Sequence, residues 1–158
     1  DQITLKKSTI ILNDLVKQIA TDLKIQAKTK GVSLKLKLPI NKISVMADEK
    51  LIHQAIENII SNAIKYSTKH GSVIVSIRRH QKGAIIRVVD HGIGITPKDY
   101  DKIFKKFSRT PDSIKHSPDG SGLGLYLSRL IVKAHSGEIW FTSTPNKKTV
   151  FSIYLPQS

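Results

Sequence analysis

One segment constrains the fold of this chain more than any other. Over residues 48–66, DEKLIHQAIENIISNAIKY, apolar side chains at Leu51, Ile52, Ala55, Ile56, Ile59, Ile60, Ala63 and Ile64 recur at helical spacing, and Asp48 is placed to cap the first turn. Such a helix must bury one long apolar stripe. The partner offered downstream is a pair of β-branched runs, SVIVSIRR and AIIRVVD, joined by HQKG, which predicts a hairpin over 72–90. Helix on sheet is therefore the expected packing unit.

The same helix carries a polar stripe. Asn58, Asn62, Lys65 and Tyr66 stand at i, i+4, i+7 and i+8, so they share one face at the edge of the apolar one. Nothing in the helix itself explains two amides, a cation and a phenol in line.

The remaining elements follow the same patterns. STIIL (8–12) reads as a strand, Asn13 and Asp14 as a cap, and Leu15, Ile19, Leu23 and Ala27 as the apolar face of a helix to about Lys30, ended by Gly31. VSLKLKL (32–38) alternates with period two and predicts a half-buried strand, followed by the loop PINKIS and a brief strand at Val45 and Met46. Thr96, Pro97 and Asp99 open a short helix. From about Ile103 to Gly120 periodicity fails, and RTPDSIKHSPDG predicts a mobile loop of the length that usually serves function. SGLGLYLSRLIVKAHSG is a helix entered through glycines and stopped at Gly137, and EIWFTS with KTVFSIYLP forms a closing hairpin over TPNK. Helices alternating with antiparallel strand pairs predict a two-layer α/β sandwich, a mixed, mostly antiparallel sheet covered on one face by about three helices, with 1–158 as one domain.

Composition narrows the classes. A chain of 158 residues with 39% apolar residues can bury a real core. It has no cysteine, which excludes a disulfide framework and thiolate metal sites and fits a reducing, cytoplasmic setting. No apolar run is long enough to span a bilayer, so membrane attachment is expected only through parts of a parent protein outside this chain. Lys and Arg number 26 against 12 Asp and Glu, a formal charge of +14, but the lysines are scattered and few aromatics accompany them, so nucleic acid is not the expected partner.

Two glycine-bearing stretches carry chemistry. In VVDHGIGIT, Asp90 ends a buried strand and Gly92 and Gly94 follow, an arrangement that lets a carboxylate accept from an exocyclic amine while backbone approaches a ligand; an ordinary Asp-Gly turn gives the same letters. In DGSGLGL, Gly120, Gly122 and Gly124 lead into a helix whose free N–H groups suit phosphate. This is no P-loop, which needs a Gly-Lys-Ser/Thr ending, and no crossover unit of a dinucleotide fold follows.

In this order, NIISNAIKY, DHGIGI, FKKF and GSGLGL resemble the N, G1, F and G2 boxes of the catalytic ATP-binding domain of sensor histidine kinases, within the gyrase, chaperone, histidine kinase and MutL (GHKL, Bergerat-fold) superfamily. The resemblance covers nearly the whole chain. It implies that Asn62 is a magnesium ligand with the phosphates of ATP, that Asn58 supports metal or phosphate, and that Lys65 meets phosphates while Tyr66 lies against base or ribose. It implies that Asp90 reads the adenine amino group, Gly92 and Gly94 allow close approach, and Ile95 walls the base. Residues from about 96 to 121 correspond to the ATP lid, anchored by Phe104 and Phe107, although a plain aromatic core pair explains those two as well. Arg109 is placed to reach the γ-phosphate, and Gly120, Ser121, Gly122, Leu123 and Gly124 to meet the phosphate chain. His91 departs from the family pattern, where a small polar residue is common, and Ser121 replaces a frequent threonine with the hydroxyl kept.

The resemblance also implies a branch. Gyrase-like members use a glutamate as water-activating base where this chain has Asn58, and the neighbouring Glu57 is about 100° away around the helix. None of His53, His70, His80, His91, His116 and His135 has the acidic neighbour typical of a phosphoacceptor. His135 is expected to cap helix-end carbonyls. The chain is therefore expected to be a catalytic half, monomeric by itself, with residues 1–7 a remnant of the link to a dimerising, histidine-bearing hairpin, and a response-regulator receiver domain as onward acceptor. Two other readings stay open: an ATPase of the gyrase or MutL kind acting with DNA, and a nucleotide-sensing pseudokinase.

Overall fold

The computed structural model describes residues 2–116 and 120–158; residue 1 of the expected leading segment and residues 117–119 of the expected lid lie outside the described residues. Strand β1 (Ser8–Ile11) leads directly into helix α1 (Leu12–Asp22) and α2 (Lys24–Lys30), then β2 (Ser33–Lys37), β3 (Ser44–Ala47) and the long helix α3 (Glu49–Tyr66). Strands β4 (Ser72–His80) and β5 (Gly83–Asp90) follow, then a 3₁₀ turn at Pro97–Lys102, α4 (Pro111–His116), α5 (Gly124–Ala134), β6 (Glu138–Thr144) and β7 (Lys148–Pro156).

The main sheet has the order β2-β4-β5-β7-β6. β2 lies parallel to β4, and every other neighbour is antiparallel. One face is apolar at alternate positions, with Val73, Val75 and Ile77 of β4 beside Val88, Ile86 and Ala84 of β5. Phe151, Ile153 and Leu155 of β7 continue those rows. The helices cover that face, and α3 sends Ile52, Ala55, Ile56, Ile59, Ile60, Ala63 and Ile64 into it. The expected two-layer architecture is what forms. β1 and β3 make a separate antiparallel pair, tied to the end of β7 where Met46 N–H donates to Gln157 O at 2.9 Å.

Local signals behave as physics requires at several ends. Asp48 caps α3, its Oδ1 accepting from Leu51 N–H at 3.3 Å, and Gly31 stops α2 in the left-handed conformation at φ 73°. The Lys6 N–H, donating to Asp48 Oδ2 at 2.9 Å, holds that carboxyl below its ordinary pKa.

Four expectations need correction. The first helix starts at Leu12, before Asn13, and breaks at Leu23 into two pieces. Asn13 is a clasp and not a cap: its buried amide donates to Pro39 O at 3.0 Å and accepts from Ile43 N–H at 2.9 Å, holding the loop after β2. The Thr96 hydroxyl donates a hydrogen bond to the Asp99 carboxylate at 2.8 Å instead of capping a backbone N–H. Within the expected loop, Pro111–His116 forms one short helix.

Asn13→Ala leaves the Ile43 N–H buried without its acceptor, so the variant should lose about 2 kcal/mol of unfolding free energy in urea titration. An unchanged midpoint would remove the clasp role.

Candidate nucleotide site

The polar stripe of α3 forms one wall of a cavity of about 270 Å³. Asn58, Asn62, Lys65 and Tyr66 all line it, joined by Ser61 and Ala63. The end of β5 supplies the floor and the turn into α5 the facing wall.

Asp90 is the last residue of β5 and only 5% exposed, paired in register with Val73 on β4 and Thr149 on β7. Its Oδ1 accepts from Gly92 N–H at 3.0 Å. Burial pushes its pKa up to about 6, while the Gly92 N–H and the nearby His91 pull the other way. With one hydrogen bond to its carboxyl among the described residues, Asp90 is ionised at an energetic cost.

Gly92 has no room for a side chain: a Cβ there would stand 2.0 Å from Tyr66 O. That contact, with Ile93 N–H donating to Tyr66 O at 3.2 Å, pins the end of α3 to the turn after β5. Gly94, at φ 70°, is pressed against Thr144 O and Pro145 Cα, both 2.7 Å from an added Cβ, so the hairpin turn between β6 and β7 backs the same loop. Ile95 N–H donates to Ser143 Oγ at 2.8 Å.

On the facing wall stand Arg109, Gly120, Ser121, Gly122 and Gly124. Arg109 donates to Ser113 O at 2.9 Å and lies against Gly120, where an added Cβ would approach the guanidinium to 3.0 Å. Gly122, at φ 72°, packs on the backbone of Phe107 and Ser108. Asn58 Nδ2 donates across to Gly124 O at 3.3 Å, linking the two walls.

Four of the expected residues lie off the cavity surface. Gly92 is buried behind Asp90. Phe104 sits in a ring cluster with Phe141 at 5.9 Å and Phe151 at 6.2 Å between centroids. Phe107 is 66% exposed, with the Lys106 ammonium 5.2 Å from its ring centre, so the two phenylalanines are not a core pair. Leu123 precedes α5, its N–H donating to Ser121 Oγ at 3.3 Å. Glu57 faces away, 3.3 Å from His53 Nδ1.

The cavity also recruits Ile93, Ile103, Ser108, Thr110, Ser113, Leu125, Thr149 and Phe151, which sequence reasoning missed. Thr149 and Phe151 had a usable signal: in the antiparallel pairing they stand opposite Asp90 and Val88. Among the described residues no cluster of three or more His, Cys, Asp or Glu is placed to hold a metal ion. Nor is any described helix long and apolar enough to cross a membrane.

Residues 47–158 match the family model described as histidine kinase-, DNA gyrase B- and HSP90-like ATPase. The chain belongs to this family. It is 33% identical over 148 residues to the circadian input-output histidine kinase CikA of Synechococcus elongatus, covering 92% of this chain and 20% of that protein. It is 40% identical over 121 residues to the sensor histidine kinase WalK of Bacillus subtilis, covering 75% of this chain and 20% of that one. The chain spans 20% of the length of each of these two relatives. Among solved structures, the catalytic domain of histidine kinase ThkA superposes with a TM-score of 0.84 at 24% identity, covering 96% of each chain. Full-length ShkA in complex with AMPPNP superposes at 0.87 and 23% identity, covering 99% of this chain and 32% of that one. The fold is that of histidine kinase catalytic domains, and the sequence relatives are sensor kinases.

Because the Asp90 pKa is raised, the charged carboxylate costs stability above about pH 6 and costs nothing below the ordinary carboxylate range. Asp90→Asn should therefore stabilise the ligand-free ATPase-family chain by on the order of 3 kcal/mol at pH 8, a gain shrinking below about 1 kcal/mol at pH 4. Urea midpoints at the two pH values check both the sign and the trend.

Proposed function

We propose that this chain is a single histidine kinase catalytic domain that binds ATP with magnesium and transfers the γ-phosphoryl group to a histidine on a separate hairpin domain of its parent. The observation that carries the reading is the convergence on one cavity of a buried carboxylate, two helix amides and a glycine turn at the start of α5. Asp90 accepts the adenine amino group and so selects against guanine, which has a carbonyl there. Tyr66 and Ile95 lie along the base and ribose, and Lys65 meets the phosphates. The N–H groups of the glycine turn 120–124 receive the phosphate chain, helped by the positive end of α5.

The donor set suits a hard cation, since Asn62 offers a neutral amide oxygen beside the expected phosphates and Asn58, with its nitrogen given to Gly124, retains its own. Magnesium bound there would neutralise phosphate charge. Residues 96–121 act as the lid, positioned by Phe104 in its ring cluster, while exposed Phe107 is available to the hairpin. Arg109 stabilises the charge that spreads over the γ-phosphoryl oxygens as the bond to ADP breaks and the bond to imidazole nitrogen forms. An imidazole attacks without a protein base, and Glu57, paired with His53, supports transfer to histidine over hydrolysis of water. The phosphate then passes to an aspartate of a response-regulator receiver domain, on the cytoplasmic side of any membrane the parent spans. ThkA has been solved in complex with the response regulator TrrA, which supports that kind of partner.

The test is to mix the chain with magnesium, labelled ATP and the hairpin domain of its parent kinase. Acid-labile, base-stable label on the hairpin is expected; DNA-stimulated ATP hydrolysis, or ATP binding with no transfer, would displace the reading. Arg109→Ala should slow transfer about a hundredfold while ADP affinity changes much less, as stopped-time labelling and calorimetry would report.

The raised Asp90 pKa gives a further outcome: ATP affinity should fall as pH drops through about 6, because the protonated carboxyl is a poorer acceptor. Calorimetric titration between pH 5 and pH 8 measures it, and Asp90→Asn should bind weakly throughout.

A further inference from the structure

Helices α3 and α5 run antiparallel and are cross-linked at three levels. Next to the cavity, Asn58 Nδ2 donates to Gly124 O at 3.3 Å. Midway, the Ser128 hydroxyl, with Ser128 fully buried, donates to Ala55 O at 3.0 Å. At the far end, Asp48 N–H donates to Nε2 of His135, which is 2% exposed, at 3.0 Å. The His135 ring is fully committed, because Nδ1 donates to Ile131 O at 2.8 Å, and this fixes the tautomer with its lone pair on Nε2.

We infer that His135 is a positioning residue for the nucleotide site. It touches no cavity group and lies about 15 Å along α3 from Asn58, by the helical rise of ten residues. Its leverage is axial. The same Asp48 that offers its N–H to His135 caps α3 through Leu51 N–H and receives Lys6 N–H, so the far end of the helix pair is clamped at one residue. That clamp opposes sliding of α5 along α3. Its first residue, Gly124, then stays opposite Asn58, and the glycine turn keeps its place in the cavity lining that it shares with Asn62. With the clamp open, the Ser128 and Asn58 hydrogen bonds are the remaining directional links of this seam, and the apolar packing of Ile131 and Val132 fixes register less sharply; a shift of about 1 Å at a site of this kind costs binding heavily. Capping the last turn of α5 would require only Nδ1; the use of Nε2 across to another helix is the part that capping does not explain.

The inference rests on the nucleotide reading, and the experiment separates the two. The full chain is titrated calorimetrically with Mg-AMPPNP and Mg-ADP, with the folded fraction set by circular dichroism. Compared are wild type, His135→Asn, His135→Gln and Ser128→Ala. Asparagine can reach Ile131 O but not Asp48 N–H, whereas the longer glutamine can place its carbonyl where Nε2 was. His135→Asn should weaken both nucleotides about tenfold and Ser128→Ala about threefold per folded molecule, while His135→Gln stays within about twofold of wild type. A His135→Asn protein that melts earlier but binds as wild type would show a purely structural histidine and overturn the inference, leaving the nucleotide reading intact. If neither His135 variant folds, Ser128→Ala decides, and unchanged affinity there overturns it. Wild-type protein that takes up neither nucleotide overturns both readings.

Discussion

Burial of the apolar face of α3 is the interaction on which everything else in this molecule depends. Five isoleucines on that face, Ile52, Ile56, Ile59, Ile60 and Ile64, are essentially inaccessible to solvent. At about 2 kcal/mol for each side chain removed from water, they contribute on the order of 10 kcal/mol, as much as the entire net stability of an ordinary domain. The face is also continuous, so it fixes the rotation of the helix about its own axis. Once that rotation is set, Asn58, Asn62, Lys65 and Tyr66 have no freedom over where they emerge: they line the boundary between core and solvent, and there the cavity forms. Core packing and site geometry are one constraint read from two sides of a helix.

The second requirement is that distant backbone segments come closer than side chains permit. Gly92 against Tyr66 O, Gly94 against the β6–β7 turn and Gly122 against Phe107 and Ser108 are contacts in which even a methyl group would collide. Each joins a cavity wall to a different part of the chain. The glycines thus act first as sites of close packing and only through that as openings toward a ligand. The Asp90 carboxylate carries the complementary cost, since burial raises its pKa and the fold keeps the acid there.

Much of this was legible in the sequence because it is governed by local periodicity. The α3 pattern, the two hairpins, the Asp48 cap and the Gly31 stop rest on spacings of a few residues, and all appear where those spacings put them. What escaped is what depends on partners far along the chain. Asn13 has the letters of a helix cap, but its amide is claimed by a loop some thirty positions away, and no window of sequence contains both. Thr96 too has the letters of a cap before Pro97, but its hydroxyl is diverted to the Asp99 carboxylate. α4 is too short for a periodic signal. The lining residues Thr149 and Phe151 required the strand register as well as the strands.

The two phenylalanines of FKKF show how one motif divides its labour. Phe104 enters a chain of rings running through Phe141 to Phe151, and Phe141 also meets Tyr100 edge-on at 5.1 Å, so the start of the loop is anchored by apolar contact. Three residues later the backbone of Phe107 turns left-handed at φ 58° and the side chain leaves the protein. A large ring in that conformation carries a local strain that solvent exposure does nothing to repay. Its backbone packs against Gly122, which lines the cavity with Asn58 and Asn62. The loop thus has one aromatic side chain fixed in the ring cluster and another in solvent, its backbone packed on the turn that lines the cavity.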